Sequence, residues 1–205
     1  MEKKLGDIFK HYGTDKEING YTPYYERIFE TMRHQKICLG EIGIGTLIPG
    51  APSSMVGYGE PHYQQGASLK SWRDYFDHPE TEIHGFDIQQ DTQFTGEPRV
   101  TTHLLNSTDS SAVKAFVESP CDSLHHKPTQ FDILIDDGAH YDQCQLATVQ
   151  NLWSTVKSGG IYVVEDVYPS SRLVTDYVDQ FNAAIEQSPW LLSTKRNLLF
   201  VFKRN

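Results

Sequence analysis

Five residues in two short stretches have the types and spacing to do chemistry. Phe131 to Tyr141 reads FDILIDDGAHY, an apolar run that stops at Asp136, Asp137 and, three positions on, His140. Ile161 to Asp166 reads IYVVED and closes on a second acidic pair, Glu165 and Asp166. Carboxylates supply hard oxygens for a divalent cation, and an imidazole changes charge near neutral pH, so the set could hold a metal and move a proton. A single Asp at such a place would be read as the cap of the next helix, with His140 packed in its first turn. Two acids and a histidine, matched by a second acidic pair, favour chemistry over capping.

These residues need a scaffold that brings both run ends to one edge. Continuous apolar runs such as Ile133 to Ile135 suit strands buried on both faces of a parallel sheet. Ligands of open α/β sheets bind outside the carboxyl ends of such strands. Lys36 to Thr46, KICLGEIGIGT, reads as a strand running into a turn. There Gly43 and Gly45 let the backbone approach a ligand, and Glu41 can accept hydrogen bonds from hydroxyls or an ammonium. Glu82 to Asp87 is a second strand, ending in an acid suited to two ribose hydroxyls. Arg99 to Leu104 is a third, followed by Asn106, Ser107 and Asp109, which either contact an adenine edge or cap a helix from about Ser110 to Val117. For Asp109 the cap is the better reading.

Helical patterns run from residue 2 to 11, where Gly13 provides the stop, and over 23–33, 67–76, 143–156 and 172–186. Tyr24, Tyr25, Ile28 and Phe29 recur at helical intervals and read as core. Thr14, Asp15 and Lys16 set a hydroxyl, a carboxylate and an ammonium side by side; on spacing alone they are a solvated turn, although they could grip a polar cofactor. Residues 47–66, rich in Gly, Pro and Ser, predict a substrate-covering loop with Glu60, His62 and Tyr63 as contacts, a surface insertion being the equal alternative. Trp190 to Ser193 and Leu198 to Lys203 flank a polar turn, the pattern of an antiparallel hairpin. The sum is an α/β protein: a Rossmann-like, seven-stranded, mostly parallel sheet with helices on both faces and a C-terminal antiparallel hairpin.

The 205 residues show no composition shift, which predicts one domain over 1–205 with residues 1–35 as an N-terminal helical lid. Eighteen basic against 27 acidic residues give a net charge of −9, which repels nucleic-acid phosphates and anionic membranes alike. Cys38, Cys121 and Cys144 are an odd set without metal-ligand spacing, as expected of reduced, packing thiols in a cytoplasmic protein. The N-terminus lacks the apolar core of a signal peptide, and no stretch reaches the ~20 apolar residues of a membrane span.

Six motifs in this order resemble the class I S-adenosylmethionine-dependent methyltransferases, and more narrowly the macrocin and mycinamicin group of sugar O-methyltransferases. They are YGTDK (12–16), EIGIG (41–45), GASLKSWRDYF (66–76), FDI (86–88), IDDGAH (135–140) and GGIYVVED (159–166). The resemblance implies that Glu41, Gly43 and Asp87 hold the methionine and ribose parts of S-adenosylmethionine, that Ser68, Asn106, Gly45 and Asp136 join them, and that Thr14, Asp15 and Lys16 close over the cofactor. It also implies a divalent metal, typically Mg²⁺, on Asp136 or Asp137 with Glu165 and Asp166. His140 is the expected base, with Asp137 beside it as the second catalytic residue.

The activity so implied is methylation of a sugar or glycoside hydroxyl on a small-molecule or glycan substrate, with homo-oligomerisation possible. A phenolic or catechol acceptor would use similar metal chemistry. A nicotinamide oxidoreductase is disfavoured because Ile48 stands where the third glycine of its fingerprint would fall. A non-catalytic cofactor- or glycan-binding module would have no use for the acids and the histidine together.

Overall fold

A computed structural model of the chain describes residues 3–51, 53–57, 62–119, 128, 130–168, 190–192 and 197–203. The parallel strands are β1 (Cys38–Ile42), β2 (Glu82–Asp87), β3 (Val100–Leu104), β4 (Phe131–Asp136) and β5 (Val156–Val167); β6 (Trp190–Leu192) and β7 (Asn197–Phe202) complete the sheet. Its order is β3-β2-β1-β4-β5-β7-β6, with β7 antiparallel to both β5 and β6. The seven strands and the terminal hairpin are those expected from the apolar runs. Chain direction reverses its walk across the sheet between β1 and β4, so the crevice of this fold opens at their carboxyl ends.

Both sheet faces are buried. One packs Leu39, Ile133, Ile135, Ile161 and Val163 under α1 (Leu5–Tyr12), α2 (Thr22–Phe29) and α3 (Ala67–Tyr75), through an aromatic layer that includes Phe9, Tyr25, Phe29 and Trp72. The other packs Ile42, Leu134, Tyr162 and Val164 against Val113 of α4 (Ser110–Glu118) and Val149 and Leu152 of α5 (Asp142–Leu152). Residues of the expected lid are therefore a layer of the core: Leu5 and Phe9 are 0 % exposed. Among the described residues no helix is long and apolar enough to cross a membrane.

Two local expectations change. The helix expected up to Val156 is α-helical to Leu152 and continues as a 3-10 turn over Trp153–Thr155, and β5, expected from Ile161, already begins at Val156, which pairs with Phe131 and is buried. Its β-branched side chain gains more as a strand residue than as a helix end. The expected helix over 172–186 and Glu60 lie outside the described residues.

The turn after β1 locks against the turn after β4. Gly43 N–H donates to Phe86 O (2.8 Å), and Asp137 N–H donates to Ile42 O (2.9 Å). Gly43 has φ +79°, and a Cβ there would lie 2.1 Å from the carbonyl oxygen of Asp137. Gly50 has the same φ and nothing within 4 Å of its would-be Cβ. Gly50→Ala should therefore cost only the left-handed penalty of about 1–2 kcal/mol, while Gly43→Ala adds a backbone collision and should cost at least about 3 kcal/mol. Urea unfolding of both variants measures the difference; equal losses would mean that the close approach of the two turns does not matter.

Candidate active site

Strand alternation and register decide which acids meet. Glu41, Asp137 and Glu165 follow Leu39, Ile135 and Val163 at intervals of two, so all three project onto the face covered by α1–α3. Their carboxylate oxygens gather within 4.8 Å of one another. Asp136 does not join them. It faces the opposite side, where its Oδ1 accepts from Gly138 N–H (3.2 Å) and its Oδ2 faces the Tyr162 hydroxyl (3.4 Å). Burial raises its pKa to about 7, against the weaker lowering by those hydrogen bonds.

Simple alternation would also send Asp166 away from Glu165. The β5–β7 ladder instead shifts register between Val164 and Val167, and Asp166 adopts φ +55°. Such a bulge re-aims a side chain, and Asp166 Oδ1 receives the Tyr21 hydroxyl on the same side as Glu165. His140, also at φ +55°, leaves its strand end in a comparable turn. Its Nε2 lies 3.8 Å from Asp137 Oδ1 and 3.6 Å from Asp166 Oδ2, with about a third of the side chain exposed. Left-handed backbone at two non-glycine residues of one site is strain held in place by the surrounding fold.

Lys16 fills the inner side of the acid cluster. Its ammonium lies 3.0 Å from Glu41 Oε1, 2.8 Å from Asp137 Oδ2 and 2.6 Å from Glu165 Oε1, and the residue is 0 % exposed. Burial opposes its charge, but Asp137, Glu165 and Glu41 outweigh that and hold its pKa well above the usual lysine value. The acids remain under-neutralised. Burial, opposed by Lys16, lifts the pKa of Glu165 to about 7, and burial followed by the charge of Glu165 pushes Asp137 well up, Lys16 notwithstanding. The second oxygen of Glu41 has no hydrogen-bond partner although the side chain is fully buried. One ammonium is thus too little positive charge for the carboxylates around it, and a divalent cation on hard oxygens fits what is missing.

The other residues expected at the cofactor lie around this cluster in different ways. Asp87, at the end of β2, is buried and accepts from the amides of Ile44 (3.0 Å) and Gln89 (2.8 Å), so it fixes the glycine turn; burial raises its pKa. Gly45 is roofed by the loop, since a Cβ there would lie 2.7 Å from the Tyr63 hydroxyl, which itself donates to Ile44 O (3.1 Å). His62 Nε2 meets the Lys10 carbonyl (2.5 Å), so this part of the loop rests on α1. Thr14 is buried, and Asp15 accepts from Asn19 Nδ2 (3.0 Å). Ser68 is buried in the first turn of α3. Asn106 accepts from Thr108, and Asp109 caps α4 through the amides of Ser111 and Ala112. A buried, under-partnered Glu41 beside a glycine turn and the strand-two acid suits a cofactor carrying an ammonium and ribose hydroxyls.

Sequence reasoning expected Lys16 over the cofactor rather than inside the acid cluster, and it missed two further contributors. Lys16 reads as a turn residue because its carboxylate partners are 25 to 149 positions away in sequence. Tyr25 reads as core and is core, and Tyr21 falls outside that helical stripe, yet the Tyr21 hydroxyl bonds Asp166 and the Tyr25 hydroxyl bonds Glu165. Their spacing of four, with both polar ends aimed one way on a helical face, was the available signal.

Comparison with known proteins places this geometry. No family model matches the chain. Over 166 residues it is 33 % identical to the 8-demethyl-8-(2-methoxy-alpha-L-rhamnosyl)-tetracenomycin-C 3'-O-methyltransferase of Streptomyces olivaceus, covering 80 % of this chain and 37 % of that protein. It is 30 % identical over 166 residues to the mycinamicin VI 2''-O-methyltransferase of Micromonospora griseorubida, covering 80 % and 36 %. The chain therefore spans little more than a third of these relatives. The structure of the MycE methyltransferase of the mycinamycin pathway, in complex with Mg and SAH, matches with TM-score 0.72 at 25 % identity over 100 % of this chain and 54 % of its own. Human methyltransferase-like protein 13, at 12 % identity, TM-score 0.51 and coverage of 98 % and 78 %, shares the fold alone. The sheet order, the acid-lined carboxyl edge and these relatives together make the chain a class I methyltransferase in fold, similar within that class to the glycoside O-methyltransferases of the macrocin and mycinamicin group.

Proposed function

We propose that the chain transfers a methyl group from S-adenosylmethionine to a hydroxyl of a sugar or glycoside, with the help of a divalent cation, Mg²⁺ by preference. The observation that carries this reading is the group of buried and part-buried acids at the sheet's carboxyl edge, short of positive charge and bordered by His140. Asp137, Glu165 and Asp166 are the residues to hold the cation. Glu41, Gly43, Gly45 and Asp87 would hold the cofactor, with Thr14, Asp15, Ser68 and Asn106 around it. When bound, S-adenosylmethionine supplies an electrophilic sulfonium methyl, and the cation supplies a Lewis acid for the acceptor oxygen.

The chain's own residues account for the rest. Lys16 sits on inner oxygens, Asp137 Oδ2 and Glu165 Oε1, and leaves Asp137 Oδ1 and Asp166 Oδ2 turned towards His140. Tyr21 and Tyr25 fix Asp166 and Glu165 from the helical layer. His140 Nε2, with part of its ring open to solvent, is placed to take the acceptor's proton as the oxygen attacks. The step balances as the methyl leaves sulfur for the acceptor oxygen: the products would be a methyl ether, the cofactor's neutral thioether and a protonated imidazole, which takes over the positive charge and later releases its proton to water.

Calorimetry should show S-adenosylmethionine binding and no binding of nicotinamide dinucleotides; the reverse result overturns the reading. His140→Ala should lower the methylation rate roughly 10²- to 10⁴-fold with cofactor affinity nearly unchanged. Asp137→Asn should instead weaken the affinity for Mg²⁺ and recover part of its activity in excess metal, which His140→Ala should not. A folded His140→Ala enzyme that turns over within a few-fold of the parent removes the base assignment, and undiminished turnover in chelator removes the metal.

A further inference from the structure

The opposite, amino-terminal edge of the sheet gathers a second set of metal-capable side chains. Cys38 opens β1 and is aligned with Glu82, which opens β2; His84 follows two residues on, and His103 of β3 is aligned with Phe86, again two residues beyond His84. Period-two alternation puts all four on the sheet face opposite the acid cluster. The Cys38 thiol, the Glu82 carboxylate and the His84 imidazole offer ligand atoms within 4.8 Å of one another. His84 is 1 % exposed, whereas 38 % of the Glu82 side chain is open, so the group is rooted in the core and reachable from solvent.

We propose that Cys38 Sγ, Glu82 and His84 Nε2 form a second metal site, for a borderline-soft divalent ion of the zinc class, distinct from the carboxylate site at the other edge. Thiolate, imidazole and carboxylate are the ligand types zinc takes, and three protein ligands leave a fourth position for water. Charge balances: a thiolate and a carboxylate neutralise a dication beside a neutral imidazole. The outer contact that orients a ligating histidine is in place, because His84 Nδ1 shares a hydrogen bond with His103 Nε2 (3.0 Å), whose ring is stacked on Phe86. Glu82 Oε2 stands 3.6 Å from His84 Nε2, on the ligand side of the ring. Coordination needs the thiolate, so the Cys38 thiol proton passes to solvent as the metal–sulfur bond forms. Sequence spacing does not reveal the site because Cys38 lies on β1, 44 positions before the Glu82–His84 pair of β2.

Anaerobic titration of the full chain with Co²⁺, in excess Mg²⁺ and a non-thiol reductant, tests this. Mg²⁺ saturates hard oxygen sites and does not compete for a thiolate. The expected result is one equivalent of Co²⁺ giving a thiolate-to-cobalt charge-transfer band that Zn²⁺ abolishes. The band should survive a Cys121→Ala, Cys144→Ala double variant, vanish in Cys38→Ala, and need roughly 10- to 100-fold more metal in His103→Ala. Glu82→Gln, at a half-exposed position that does not threaten folding, should also weaken binding. No band in the parent chain, a band unchanged by Cys38→Ala, or affinity unmoved by Glu82→Gln each overturns the site.

Discussion

The buried ammonium of Lys16 is the contact on which the active-site edge depends. It reaches from the loop between α1 and α2 to carboxylates on β1, β4 and β5, and so ties the helical layer to three strands at once. Coulomb attraction in such a site repays the desolvation of the charges only when each keeps its partners. Without Lys16, two buried acids and the part-buried Asp137 would face one another with no cation, an arrangement that costs about 3–5 kcal/mol even for a single broken pair. The same ammonium cannot neutralise every acid present. What remains is a surplus of negative charge on oxygens facing His140, the feature on which the proposed divalent-cation site rests.

Much of this arrangement was legible because the strands are buried on both faces. Their apolar runs marked β2 to the residue, and the glycines and acids at their ends marked the edge where ligands bind. Gly13, at φ +79°, ends α1 as the sequence predicts. What sequence could not supply was direction. Asp136 and Asp137 look alike in a string, but one residue of pleat sends the first towards Tyr162 and the second towards Lys16. Glu165 and Asp166 should have been split in the same way, and only a bulge that depends on pairing with β7 keeps them together. The place of Lys16 among the acids was hidden for a related reason, since nothing local distinguishes a lysine in a turn from one whose partners are assembled by the whole sheet.

The strain in the site is concentrated where this direction is set. His140 and Asp166 both hold left-handed backbone, and Gly43 is packed against the carbonyl of Asp137 with no room for a side chain. Asp136, buried on the far side, holds the amide of Gly138 and so stiffens the turn between the strand and His140. These contacts restrict the angles at which Asp137, Asp166 and His140 can meet, and preorganised polar groups are worth most when they need not move as charge develops.

The two edges of the sheet then divide by ligand chemistry. At the carboxyl edge every candidate ligand is an oxygen, and the surplus charge favours a hard dication that keeps water and exchanges readily. At the amino edge a thiol and an imidazole stand with one carboxylate, a set that discriminates against magnesium by softness rather than by size. The two sets lie on opposite faces, because Glu41 is an odd number of residues from Cys38 along β1. One strand can therefore serve both edges without either metal competing for the other's ligands: alternation assigns the face, position along the strand assigns the edge, and the element at each ligand atom selects the ion.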